Sequence, residues 1–376
     1  MKKSNMAIGL SEEQGMLLDT AREFCRDRSA IPAVRALLQS ESGFDAQVWQ
    51  EIAELGWLGV AVGEAHGGSG LGMGSAIPIV ECMGKRLLST PYITTVLVAE
   101  ALQRAQSHAL CERHLPAIVG GQIATLALLE SEDWGEETIE LTATDAGGDL
   151  QLAGSKTQVA YAVQAELFLV SATYQDEARL LLVPASALGE GAVRRQTNID
   201  ETRRSSRVDF TGATVSSDNL LSGDATAIIR DLRLLGALLY AAEAAGSTAA
   251  CMDLTVDYLK TRKQFGHLIG SYQSLKHPMV EVLCDMDNAR SFVYHAATLV
   301  SEASLDEDAE SACRMAKAQA SEALKFAADR AVQFHGGMGF TYECDAQLYI
   351  RRAQWSQQAF GDAYHHRKRL ASLLLD

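Results

Sequence analysis

Near the start of the chain, apolar side chains recur every three or four residues, at Leu17, Leu18, Ala21 and Phe24. They follow Ser11 and Gln14, which have the spacing of a capping box, so the pattern predicts a first amphipathic helix. Asp45 is placed to cap a second one, on which Trp49, Ile52, Ala53 and Gly56 share a face. The glycine-rich run from His66 to Gly72 predicts a tight or mobile loop, after which helical spacing resumes over Ile77 to Leu88 and Val96 to Leu110. Between roughly Gly121 and Gly223 the texture changes to short β-rich runs: Thr138 to Thr144, Glu166 to Ala172, Leu180 to Val183 and Arg207 to Phe210, separated by Gly, Asp and Ser clusters. From Asp224 the helical period returns, over Ala225 to Thr261, Gln273 to Ala303, Asp306 to Phe334 and a last segment after Gly361.

The expected fold is therefore mostly α with a central β-domain. It comprises an N-terminal helical domain (1–120), a middle β-domain (121–223) and a C-terminal helical bundle (224–376). A chain of 376 residues, 47% of them hydrophobic, can bury such a core. The formal charge of -15 argues against general affinity for nucleic acid or anionic membranes, so any anionic ligand must be met by local cations. Seven dispersed cysteines without a C-x-x-C pair suggest neither a disulfide framework nor a zinc site, and a reducing cytoplasm is expected. The N-terminus does not read as a signal peptide, and no run of eighteen apolar residues escapes polar interruption, so no membrane span is expected.

Two segments carry chemistry. Tyr258-Leu-Lys-Thr-Arg-Lys-Gln-Phe-Gly266 is followed by Ile269-Gly-Ser-Tyr-Gln273, and Gln333-Phe-His-Gly-Gly-Met-Gly-Phe340 lies further on. A diphosphate needs a cation and closely approaching backbone N–H groups, which Arg262 and the pair Gly336 and Gly337 can supply. Phe265 offers an aromatic face and Gln273 a polar handle. Taken singly, Arg262 could be a solvated helix end and the glycines a plain C-cap.

Both segments, in this order and with Gly56-Trp-Leu-Gly59 near the start, resemble the R-x-Q-F-G and Q-x-x-G-G-x-G-F signatures of the acyl-CoA dehydrogenases. The resemblance implies an α-β-α three-domain fold with a C-terminal four-helix bundle. It also implies FAD as cofactor, its adenine-diphosphate half lying across a subunit interface. Arg262, Gln264, Phe265, Gln273, Gln333, Gly336 and Gly337 take the FAD-binding positions. The implied partners are an acyl-CoA substrate, an electron-transferring flavoprotein as acceptor, and further subunits in a homo-oligomer or a heterotetramer with a homologous chain.

The implied reaction is α,β-dehydrogenation, in which a carboxylate removes the α-proton of the thioester. One family position for that base falls on Phe360, before Gly361; the other falls on Gly236, and neither residue accepts a proton. Glu243 is the only charged residue between Leu234 and Met252, two helical turns or about 10 Å beyond Gly236 on the same face. It is the candidate replacement base, and Gly236, Ala237, Ala241 and Ala242 would leave room for a bulky, cyclic or steroid-derived acyl group. Glu243 is equally readable as a buried structural glutamate paired with an arginine such as Arg290 or Arg330. Asp362 is the second candidate base, although it is also suited to cap the last helix.

In the β-domain only Glu130 and the Leu152-x-Gly154-x-Lys156 frame match the family, so no flavin-ring contact is assigned there. The run His365 to Arg369 could meet a CoA phosphate or be a solvated basic face. A metal-binding helical bundle would need E-x-x-H motifs, which the chain lacks. Two readings remain: an active acyl-CoA dehydrogenase, and a non-catalytic or half-site subunit of a heteromeric one, which the vacancies at Gly236 and Phe360 motivate.

Overall fold

The computed structural model describes residues 10–135, 138–300 and 305–375. Ser11 and Gln14 close their capping box and start α1 (Glu12–Arg28); Asp45 accepts from the Gln47 N–H and starts α3 (Ala46–Glu54). Between them lies a short helix the periodicity did not suggest, α2 (Ile31–Leu37), opened by Pro32. Then come α4 (Ile77–Lys85), α5 (Tyr92–Arg104) and α6 (His108–Val119). The single helix expected over Val96 to Leu110 is thus two, parted at Gln106, whose φ of 51° no α-helix tolerates.

The middle segment holds two sheets. In the larger, β1 (Ala124–Ala127) runs parallel to β5 (Leu167–Tyr174), and β5 pairs along its whole length with β6 (Glu177–Pro184). On its other side β5 meets β2 (Thr142–Ala146) at Thr173↔Thr142, followed outward by β3 (Asp149–Ala153) and β9 (Thr214–Ser216). The smaller sheet has the order β4 (Ser155–Ala160), β8 (Ser205–Asp209), β7 (Val193–Gln196). The β-run expected over Thr138 to Thr144 forms strand only from Thr142, and β3, β4 and β7 were not anticipated; short strands in polar sequence carry too little alternation to announce themselves.

After Asp224, whose carboxylate caps it, α7 runs from Ala225 to Thr261. By length and composition this helix could cross a membrane, but 94% of its most apolar window is buried inside the protein, so it is a core helix. A tight hairpin, β10 (Lys263–Gln264) and β11 (His267–Leu268), leads to α8 (Gln273–Leu299). The end expected for this helix near Ala303 lies outside the described residues, as does the N-terminal stretch read for a signal peptide up to residue 9. Next come α9 (Glu307–His335), α10 (Ala346–Gln358) and α11 (Ala363–Leu375); α9 is the hub, packing on α7, α8, α10 and α11.

One helix crossing fixes where α7 sits. A Cβ on Gly84 of α4 would lie 2.1 Å from the Glu243 carbonyl oxygen, and a Cβ on Gly246 would lie 1.9 Å from the Glu81 carbonyl oxygen. The two backbones therefore touch, which only glycine permits on both helices. Ser247 Oγ donates to the Gly84 carbonyl at 2.9 Å and reinforces the contact. Gly246→Ala should overpack this crossing and cost about 1–3 kcal/mol, measured as a fall in the denaturation midpoint without loss of secondary structure.

Candidate functional site

Glu243 is 2% exposed and lies among charges rather than in an empty pocket. Arg203, from the loop before β8, forms an ion pair with its Oε1, and Arg352 of α10 approaches the same oxygen at 3.2 Å. Arg352 also donates from Nε to Asp200 at 2.5 Å and from Nη2 to Ser89 Oγ at 2.9 Å and Thr202 Oγ1 at 2.6 Å. Asp200 in turn accepts from the Thr202 N–H and hydroxyl. Burial alone would raise the Asp200 pKa, but Arg352 and Arg203 outweigh it and the net shift is downward. Arg203 stands over the rings of Trp355 at 5.0 Å and Tyr240 at 5.8 Å, and Glu243 carries its guanidinium pKa upward against the desolvation that opposes it. Sequence reasoning proposed Arg290 or Arg330 as partners of Glu243. Arg290 instead pairs with Glu81, and Arg330 with its neighbour Asp329.

Arg203, Arg352 and Asp200 were missed. Only half of the signal was in the sequence: a lone carboxylate on an apolar helix requires a cation, whereas the burial of Arg203 and Arg352 is seen only in the structure. Neither stands in a recognisable motif, and their distance along the chain from Glu243 hid the match.

The two vacant base positions prove to be one feature. The Phe360 ring lies directly over Gly236, where a Cβ would meet Phe360 Cε1 at 2.2 Å. Trp134 stacks on that ring at 4.1 Å, and Tyr240 lies 5.4 Å away on α7. The room that Gly236 was expected to leave for a bulky acyl group is therefore filled from within. Ala237, Ala241 and Ala242 are fully buried in packing and leave none either. The turn that aims the ring is tightly held. Phe360 has a φ of 59°, followed by Gly361 at 95°. The Phe360 carbonyl contacts His366 Nε2 at 3.0 Å, which therefore carries the proton. Lys317, with no exposed surface, donates to the Ser356 carbonyl at 2.7 Å and to Ser321 Oγ at 2.8 Å, steadying the end of α10. Asp362, the second candidate base, caps α11: its carboxylate accepts from the His365 N–H at 2.7 Å.

The expected cofactor residues gather elsewhere, at one exposed end of the bundle. Tyr258, one turn before the end of α7, stacks on His335 at the end of α9 with ring centroids 4.2 Å apart, so Arg262 and the Gln333 to Gly337 segment adjoin. Arg262, Gln264, Phe265, Gln273, Gln333, Gly336 and Gly337 are all exposed. The Arg262 guanidinium has no ion-pair partner among the described residues. Nothing lies within 4 Å of where a Cβ on Gly336 or Gly337 would be, and Gly336 has a φ of 63°. A free cation beside open backbone fits a diphosphate. Phe265 and Gly266 form the two-residue turn of the β10–β11 hairpin, both at positive φ, the pattern of a type I′ turn. That turn holds Phe265 90% exposed. In the β-domain, Lys156 pairs with Glu130 and donates to Ser171 Oγ at 2.7 Å, a buried structural contact.

Family models for the acyl-CoA dehydrogenase N-terminal domain match residues 11–122 and for its C-terminal domain residues 232–375. The chain belongs to the acyl-CoA dehydrogenase family. Members are FAD-dependent flavoprotein oxidoreductases acting on acyl-CoA, and this chain has their fold. It is 29% identical to the acyl-CoA dehydrogenase IpdE2 of Mycolicibacterium smegmatis over 96% of this chain and 98% of the relative. Among solved structures, the steroid ACAD Tcur3481–Tcur3483 aligns with a TM-score of 0.85 at 27% identity, over 96% of this chain and 98% of that one. The ChsE4–ChsE5 complex from Mycobacterium tuberculosis aligns with a TM-score of 0.86 at 26% identity, over 98% of both chains.

Two predictions follow from the charges around the dehydrogenase fold's centre. Glu243→Ala leaves two buried guanidiniums facing each other and should destabilise the chain by about 3–5 kcal/mol, read by chemical denaturation. Burial pushes the Lys317 pKa down to about 7, with Asp362 opposing the shift. The unfolded chain therefore holds a proton that the folded chain lacks between about 7 and the ordinary lysine value near 10.4, so stability from this group rises with pH across that window and is lost as pH falls through it. Lys317→Met should flatten that slope in unfolding free energy measured against pH.

Proposed function

We propose that this chain is a half-site subunit of a heteromeric acyl-CoA dehydrogenase. It pairs with a homologous chain and lends that chain its exposed cation-and-glycine end. The observation that carries the reading is the Phe360 ring seated on Gly236. Both positions from which a family member could draw a base are occupied by one hydrocarbon contact, and the buried carboxylate of Glu243 is engaged by two arginines.

In the complex, Arg262 would neutralise the FAD diphosphate while Gly336 and Gly337 let backbone N–H groups approach it. Phe265 would present its ring, and Gln264, Gln273 and Gln333 would hold polar edges. Bound FAD would supply the hydride-accepting chemistry, with an electron-transferring flavoprotein as the acceptor. The names of Tcur3481–Tcur3483 and of the ChsE4–ChsE5 complex each join two components, which supports pairing with a homologous chain. The description of the former as a steroid ACAD supports a steroid-type acyl-CoA substrate for the assembly.

Producing the chain alone and with a homologous subunit tests this. Flavin absorbance should appear only in the co-purified complex, and Arg262→Ala in this chain should cut its flavin content at least about tenfold. A solitary chain that binds flavin stoichiometrically and is bleached by an acyl-CoA overturns the proposal. The competing reading, an active chain using Glu243 as base, has in its favour one buried Glu243 oxygen, Oε2, without a hydrogen-bond partner. Under that reading Glu243→Gln, if folded and flavin-replete, loses several orders of magnitude in flavin reduction; under the half-site reading the rate of flavin reduction is unchanged.

A further inference from the structure

The smaller sheet presents a second cationic feature, unrelated to the bundle end. Arg194 on β7 and Arg207 on β8 are directly paired across the two strands, so both guanidiniums project from the same face. Ser155 on β4 is paired with Asp209 on β8 and shares that face, because residues two apart on a strand point the same way. Like charges opposite one another in an antiparallel pair repel, and here they stand exposed at the rim of a cavity of about 240 Å³. Gly154, Ser155, Ala192, Asp209 and Thr211 complete its walls.

The hydrogen bonds around the cavity leave it rich in donors. Arg207 Nη2 donates to Ser155 Oγ at 2.7 Å, so the serine proton is free to point outward, and the other guanidinium N–H groups of Arg207 remain unused. The Arg194 guanidinium has no hydrogen-bond or ion-pair partner among the described residues. Asp209 is the one acid present, and it is already engaged by the Thr211 N–H at 3.0 Å. Two cations against one carboxylate leave a local excess of positive charge on a chain whose net charge is -15. We propose that this face is a binding site for a phosphate monoester, held in the fork of Arg194 and Arg207 with the Ser155 hydroxyl as third donor. Two guanidinium forks can donate paired N–H groups to the several oxygens of a phosphate, which a monatomic halide does not offer, and an anion between them removes their repulsion.

Inorganic phosphate is the probe, titrated into the full chain, or into its complex if the two co-purify, and followed by calorimetry and phosphorus NMR line width. Saturable binding that weakens with salt is expected, with Arg194→Ala and Arg207→Ala each lowering affinity at least about tenfold and Asp209→Asn raising it. Both arginines are exposed, and Arg194→Lys, which keeps the charge but loses the fork, should fall between. Arg194→Ala should leave flavin content intact, so failure here is separable from failure of the half-site reading. Absence of saturable phosphate binding in the unaltered protein, or binding indifferent to both arginine substitutions, overturns the proposal.

Discussion

Four buried charges hold the three parts of this molecule together. Arg352 reaches from the last helices to Asp200 and Thr202 in the middle segment and to Ser89 beside α5. Arg203 comes from the same middle loop and meets Glu243 on α7. Removing charges from water is expensive, and here each guanidinium has a carboxylate, Glu243 faces two guanidiniums, and Asp200 accepts further from Thr202. Hydrophobic packing alone would tolerate some slippage between sheet and bundle; a paired charge with hydroxyl partners on fixed elements does not. Arg204, next in sequence, extends the constraint by donating to the carbonyls of Leu37, Leu38 and Ser40, which ties α2 to the same loop.

Around this centre lie two contrasting regions, one exposed and one packed. The cation, the hairpin aromatic and the open glycines remain exposed at the end of the bundle, ordered by the Tyr258–His335 stack and by the type I′ turn. The interior position facing Gly236 is given over to aromatic packing, with Trp134, Phe360 and Tyr240 in one group that continues through Trp355 to Arg203. The two regions place different demands on the chain: the exposed end rests on backbone shape and one unpaired cation, the interior on close aromatic packing.

Much of this was legible in the residues. The capping box at Ser11, the cap at Asp45 and the long apolar helix after Asp224 rest on local chemistry, and local chemistry is what periodicity records. The exposed segments around Arg262 and Gly336 were legible because motifs are contiguous. The partners of Glu243 were not, since Arg203 lies 40 positions away and nothing local distinguishes it from a surface arginine. Likewise the absence of a base at 236 and at 360 could be counted from sequence, but that a single ring answers both absences required coordinates. The expectation of spare volume beside Ala237 and Ala241 failed for the same reason: small residues leave space only if nothing else moves into it.

The contact between Phe360 and Gly236 also constrains how this lineage can change. Any side chain at 236 would collide with the ring at 2.2 Å, and any smaller residue at 360 would leave a void bounded by Trp134 and Tyr240. Neither position can drift by itself without passing through a destabilised intermediate. Placing an acid at either position therefore requires concerted substitution, because a single van der Waals contact couples the two residues.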